Sequence, residues 1–321
     1  MTVVQERSCP GYVKIEGALL LSGTVVDFDI HIWPETSEAP VLYRRKTDPF
    51  TEDQRERLAD SSANVYASVG DHAAYARYLE RYLDKIIENP RITTRAKASA
   101  VHTGSLKMVQ DMLEEPQAPA CLKRSESTVR NTVDFILSEK TAFHQLLSIT
   151  TYDLYTYTHS VNVCTFGITL ARDVGLSRKE LLEFGMGAIF HDVGKTKVDS
   201  GIINKPGALT PEEWGEVKKH PEYGLSIINQ SAFSAAAKAI ILEHHERLDG
   251  SGYPAGKKGH QIHPFAKMTA VVDVFSALTS RRSYKKATDS FSALSTMKAG
   301  VGTHFEQKYY EKFVRLLGKP E

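Results

Sequence analysis

The sequence has few cysteines, and Cys9, Cys121 and Cys164 lie too far apart to form a CxxC pair. This argues against a disulfide framework or a zinc ribbon and fits a reducing compartment, so the cytoplasm is the expected location. No apolar run approaches the roughly 18 residues of a membrane-spanning helix. The opening stretch also lacks the basic and apolar regions of a secretion signal. Neither sign of charge is in excess: 40 Lys and Arg face 39 Asp and Glu, a formal net charge of +1. No broad field gathers DNA or an anionic membrane, so DNA is not an expected partner and any phosphate must be held by a local cluster.

What remains is ordinary globular material, 41% hydrophobic and 25% charged over 321 residues, enough for two domains. The first fifty residues alternate apolar and polar positions between Gly17, Gly23, Pro34 and Pro40, which predicts a small β-element. Tyr75, Tyr78, Leu79, Tyr82, Leu83 and Ile86 then form one helical stripe that ends before Pro90. Further helices are expected over about 92–113 and 122–147, with Pro116 and Pro119 between them. The boundary is placed near residue 145. Residues 1–145 then form a smaller α+β region, and 146–321 an all-helical bundle whose helix starts are marked by Ser177 with Glu180 and by Thr210 with Glu213. The fold class is thus mainly α. The glycine- and proline-rich stretch 247–264 breaks the helical pattern, and a loop of that length inside a domain usually carries function.

The chemistry sits on helices that otherwise want to be buried. His191 and Asp192 close the apolar run Phe184–Phe190, and His244 and His245 close another run. His220 precedes Pro221, where a helix is expected to stop, His159 opens an apolar helix, and Asp273 lies inside the run Ala270–Leu278. A lone histidine on such a helix is commonly a satisfied core residue. Five histidines and two aspartates arriving together are better satisfied by metal, because a buried carboxylate or charged imidazole without a partner is costly. A carboxylate can also bridge two cations. His31, His72, His102, His144, His260 and His263 have no such company and are expected to be surface or structural.

HDVGK at 191–195, NKPGALTPEEW at 204–214, KKHPEYG at 218–224, HHERLDGSGYP at 244–254 and VVDVFSALTSRRSYKKA at 271–287 together resemble the HD-GYP family of cyclic di-GMP phosphodiesterases, members of the HD-domain superfamily. The resemblance covers about half the chain, from His159 to Ala287. It implies that His159, His191, Asp192 and Asp273 hold one divalent metal, while His220, His244 and His245 hold a second with Asp192 bridging. It further implies that Lys195 lies near the scissile phosphate, that Arg282 and Lys285 hold substrate phosphates, and that Gly252, Tyr253 and Pro254 form the loop that names the family. Two positions depart from the family pattern. Tyr155 stands where some relatives carry a glutamate for a third metal, so two metals are expected, and Ser276 stands where the family often has aspartate.

Imidazole and carboxylate ligands without thiolate suit iron or manganese and are compatible with zinc. Two such cations would lower the pKa of a shared water and supply a bridging hydroxide, hydrolysing cyclic di-GMP to pGpG, with onward cleavage to GMP open. The Ser276 departure motivates an alternative: a metal-loaded, weakly active or inactive module that acts as a cyclic di-GMP receptor or protein-docking domain. A general HD phosphohydrolase is a third reading, against which the HHERLDGSGYP string argues. The N-terminal region and the GYP loop are expected to meet other signalling proteins or to mate two copies as a homodimer.

Overall fold

The computed structural model describes residues 9–34, 36–60, 64–150, 157–228, 233–280 and 288–318. The chain divides into two compact units, Met1–Lys107 and Met108–Glu321, the division falling within a single helix.

In the first unit β1 (Tyr12–Ile15), β2 (Ile30–Trp33), β3 (Val41–Arg44) and β4 (Asn64–Ser68) form an antiparallel sheet in the order β1-β4-β2-β3. Helix α1 (Glu52–Asp60) precedes β4, and α2 (His72–Arg81), α3 (Leu83–Glu88) and α4 (Thr94–Glu114) follow it. The stripe is buried except at the half-buried Tyr82, and its tyrosine hydroxyls are not wasted. The backbone N–H groups of Glu16, Leu21 and Val25 donate to Tyr75, Tyr78 and Tyr82 at 3.4, 2.7 and 3.1 Å, pinning the segment between β1 and β2. The single helix expected up to Pro90 is therefore two. Tyr82 leaves helical geometry (φ −113°, ψ 17°) while its hydroxyl serves Val25, a tertiary bond that periodicity does not encode.

The second unit continues with α5 (Pro119–Ser138), α6 (Ala142–Thr150), α7 (Thr158–Val174) and α8 (Arg178–Phe190). Short helices α9 (Ser200–Ile203) and α10 (Pro211–Val217) come next, then α11 (His220–Ile228), α12 (Ala235–Glu243), α13 (Pro264–Thr279), α14 (Ser290–Lys298) and α15 (Gln307–Gly318). The expected helix over 122–147 is interrupted, because Glu139 is extended and Arg172 of α7 donates to the Ile136 carbonyl at 2.6 Å, satisfying a terminal acceptor of α5. Helix α7 is buried on nearly every face from Thr158 to Ala171, which makes it the axis of the bundle; α8, α13 and α15 pack on it. Both expected capping boxes are present, Ser177 with Glu180 on α8 and Thr210 with Glu213 on α10. His220 does not end a helix as expected but opens one. Helix α10 stops at Val217, and Pro221 sits in the first turn of α11, where its missing N–H costs nothing. Mainly helical, with a small sheet in its first unit, the chain has the fold class its sequence predicts.

Candidate metal centre

Helix ends supply most of the site. His159 lies at the start of α7, His191 and Asp192 just past the end of α8, His220 at the start of α11, and His244 and His245 just past α12, while Asp273 projects from within α13. His191, His220 and His244 are buried, and Asp192 and Asp273 nearly so.

Asp192 is the hub. Its Oδ1 lies 3.3 Å from His220 Nε2 and 3.8 Å from His244 Nε2, and its Oδ2 lies 3.3 Å from His191 Nε2 and 3.7 Å from His159 Nε2. Asp273 Oδ1 stands 3.0 Å from His159 Nε2, and its Oδ2 stands 3.8 Å from His245 Nδ1. Two sets of donor atoms, each within 4.8 Å of one another, share the Asp192 side chain: one adds His220, His244 and His245, the other His159 and His191. All seven predicted ligands therefore converge, Asp273 bordering the two sets.

Several features suit this cluster to a cation. His191 Nδ1 and His220 Nδ1 each donate at 2.7 Å to the carbonyls of Ala188 and Val217, and His244 Nδ1 lies 3.1 Å from those of Ile240 and Ile241. Such outward bonds leave Nε2 as a lone pair facing the centre, the usual arrangement of a metal-binding imidazole. Among the described residues, His191 Nε2 and Asp192 Oδ1 are buried without a hydrogen-bond partner, a state that proteins rarely leave uncompensated. Burial pushes His220 down to about 4 and His245 down to about 3, and lowers His244 and His159 as well, so these rings are neutral at neutral pH. His191 goes the other way: burial opposes its charge, but the adjacent Asp192 outweighs it and raises the pKa. Burial works against the Asp192 carboxylate too, yet Lys195 and then His191 hold it well below the usual range.

Lys195 donates to Asp192 Oδ2 at 2.6 Å, from the short 3-10 turn Val193–Lys197. The stretch 247–264 is irregular apart from the 3-10 turn Gly259–Gln261, and it folds back over the histidine pair, with the Tyr253 N–H donating to the His245 carbonyl at 3.2 Å and the two rings 4.7 Å apart. Gly252 is required there, since a Cβ would stand 2.6 Å from the His245 oxygen. Pro254 follows in the same loop. Arg282, Lys285 and Tyr155 lie outside the described residues.

Other residues of the site escaped the motif reading. Buried Glu246 accepts the N–H groups of Ala255 and Lys257 at 2.7 and 2.9 Å, and so fixes the loop. Glu243 accepts from Lys257 Nζ and from the His263 N–H, both at 2.8 Å. A charged residue inside a buried run was the available signal. Trp214, 45% exposed on α10, meets the Tyr253 ring edge-on at 6.1 Å and forms an aromatic lip beside the centre. Gly194 lets the turn after Asp192 touch the start of α11; a Cβ there would collide with the His220 carbonyl and the Gly224 nitrogen. The departure at Ser276 is filled by contact: its hydroxyl lies 2.9 Å from His159 Nδ1. His263 proves structural, its ring accepting the Phe265 N–H at the start of α13.

A family model described as an HD domain matches residues 141–308. The chain is 40% identical over 184 residues to a Pseudomonas aeruginosa protein named as a cyclic di-GMP phosphodiesterase, covering 57% of this chain and 44% of that protein. It is 38% identical over 155 residues to a Vibrio cholerae protein named as a 3′3′-cGAMP-specific phosphodiesterase, covering 48% and 30%. The chain thus spans less than half the length of these relatives. Among solved structures, an HD-GYP-type protein from Bdellovibrio bacteriovorus aligns with a TM-score of 0.67 at 20% identity, covering 96% of this chain and all of that one. At that identity the likeness speaks to fold alone.

Proposed function

The chain belongs to the HD-domain family, and on that premise we propose that it is a metal-dependent phosphodiesterase that opens a cyclic dinucleotide, cyclic di-GMP, to linear pGpG. The observation that carries this reading is the pair of donor sets sharing Asp192. His159, His191, Asp192 and Asp273 would hold one divalent transition metal. His220, His244 and His245 would hold the other, with Asp192 common to both. Nitrogen and oxygen donors without thiolate favour iron or manganese and admit zinc. When bound, such a pair lowers the pKa of water and neutralises charge on phosphoryl oxygens.

The chain's own residues do the rest. Water adds to one phosphorus, the bond to the 3′-oxygen breaks, and the product keeps a 5′-phosphate. Lys195, tethered to Asp192, sets a positive charge beside the phosphoryl oxygens or the departing 3′-oxygen. Tyr253 and Trp214 offer ring surface to a guanine, with Gly252 and Pro254 shaping the loop that carries it. Burial, then the charges of Asp192 and Asp273, raise the Tyr253 pKa, so its phenol stays protonated. Arg282 and Lys285 are assigned to the phosphates. The catalytic region is taken as 146–321, and residues 1–145 as a regulatory or interaction region that pairs two copies or, like the GYP loop, meets signalling partners. The receptor reading is not favoured, because Ser276 still gives His159 a hydrogen-bond partner.

The test is incubation of manganese- or iron-loaded protein with cyclic di-GMP and, separately, 3′3′-cGAMP, with chromatographic separation of linear products. Conversion of cyclic di-GMP that is abolished in Asp192→Ala supports the proposal. Intact cyclic di-GMP in the presence of metal-loaded protein overturns it.

A further inference from the structure

The histidines of the centre are not prepared alike. For His191, His220 and His244 the outward Nδ1 faces a backbone carbonyl, which can only accept. Each of these rings must therefore carry a hydrogen on Nδ1, and the neutral rings of His220 and His244 present a bare Nε2 inward. His159 differs on both sides. Its Nδ1 faces the Ser276 hydroxyl at 2.9 Å, a group that donates as readily as it accepts. Its Nε2 lies 3.0 Å from Asp273 Oδ1, and an ionised carboxylate only accepts.

Those two neighbours favour the opposite tautomer: hydrogen on Nε2, donated to Asp273, with the Ser276 hydroxyl donating to a bare Nδ1. A cation that takes Nε2 must reverse this. The hydrogen leaves Nε2, one arrives at Nδ1, and the serine hydroxyl turns from donor to acceptor, the ring staying neutral throughout. His220 and His244 need no such change.

We infer that the two cation positions are unequal, the one on the His159 side being the weaker and faster to exchange, and that Ser276 is the positioning residue that makes it so. This rests on the two-metal reading above. The partner of a ligand's outer nitrogen commonly changes metal affinity by about 10- to 100-fold, enough to separate the positions kinetically.

The experiment loads the full chain with Mn²⁺, removes the excess, and follows metal per chain by elemental analysis during dialysis against EDTA. One equivalent should leave quickly and the other slowly, and His159→Ala should abolish the fast phase. Ser276→Asp places an acceptor-only group against Nδ1, holds the metal-binding tautomer, and should slow the fast phase about tenfold. Ser276→Ala removes the hydroxyl from both tautomers alike and should move that phase less than Ser276→Asp does. The slow phase should not move in either variant. Two equivalents leaving together from the parent, or Ser276 variants that shift both phases equally or neither, overturn this inference alone. A parent chain that never holds two equivalents overturns the two-metal reading and this inference with it.

Discussion

Asp192→Asn exchanges one carboxylate oxygen for an amide nitrogen at the point where the two donor sets meet. In the parent, Oδ1 faces His220 and His244 at 3.3 and 3.8 Å while Oδ2 faces His191 and His159 at 3.3 and 3.7 Å. An amide keeps one accepting oxygen and turns the other position into an N–H₂ donor, so only one set retains an oxygen ligand. Loss of an outer partner of a ligand costs about 10- to 100-fold in metal affinity, and loss of the ligand itself should cost at least the upper end, about 100-fold or 2.7 kcal/mol. About one metal per chain is then expected in place of two, with turnover of cyclic di-GMP reduced by at least about 100-fold. The fold should survive. Lys195 loses its 2.6 Å partner, but its side chain is 33% exposed and can turn to water, so the cost in stability stays below about 1 kcal/mol. The assay is elemental analysis and product chromatography on one preparation, with urea denaturation as the control. Retention of both metals with turnover close to the parent's would refute the assignment of Asp192 as the shared ligand.

Further outcomes follow from the same geometry. His220, with its pKa at about 4 rather than 6.5, is neutral when folded and charged when unfolded between those values. The unfolded chain binds the extra proton there, so the stability of the chelator-treated protein should fall as pH drops from 6.5 to 4, by roughly 3 kcal/mol from this residue. Denaturation at several pH values checks this, and His220→Gln should flatten the slope; an unchanged slope contradicts the burial argument. Gly194→Ala drives a methyl group into the His220 carbonyl and the Gly224 nitrogen, and should cost about 3 kcal/mol in urea denaturation together with metal content. A variant as stable and metal-rich as the parent would show that the close approach is not needed. Trp214→Ala should raise KM for cyclic di-GMP about tenfold with little change in kcat, as loss of one stacked base implies, and Trp214→Phe should recover most of it. An unchanged KM would place the base elsewhere.

The clustered side chains of the candidate centre were legible because imidazoles and carboxylates on apolar helices have few other satisfactory states, and because the doublets His191-Asp192 and His244-His245 stand at helix ends that capping and periodicity reveal. Other features were not. The helix breaks at Tyr82 and Glu139 carry no glycine or proline, and each coincides with a bond made to a distant element, Val25 in one case and Arg172 near the other. Trp214 read as part of a motif string, and its place beside Tyr253 comes from how α10 packs.

By itself the sequence determined which donor atoms exist, which helices carry them, and that the stretch after His245 is a loop, since these follow from side-chain chemistry and the local 3.6-residue repeat. Only the tertiary structure decided which atoms meet: that Asp192 stands between two sets of histidines, and that Ser276 reaches His159 across 117 positions of chain. Local propensity constrains a few dihedrals at a time, whereas a contact of about 3 Å between distant residues depends on the crossing and register of packed helices, which no single segment encodes.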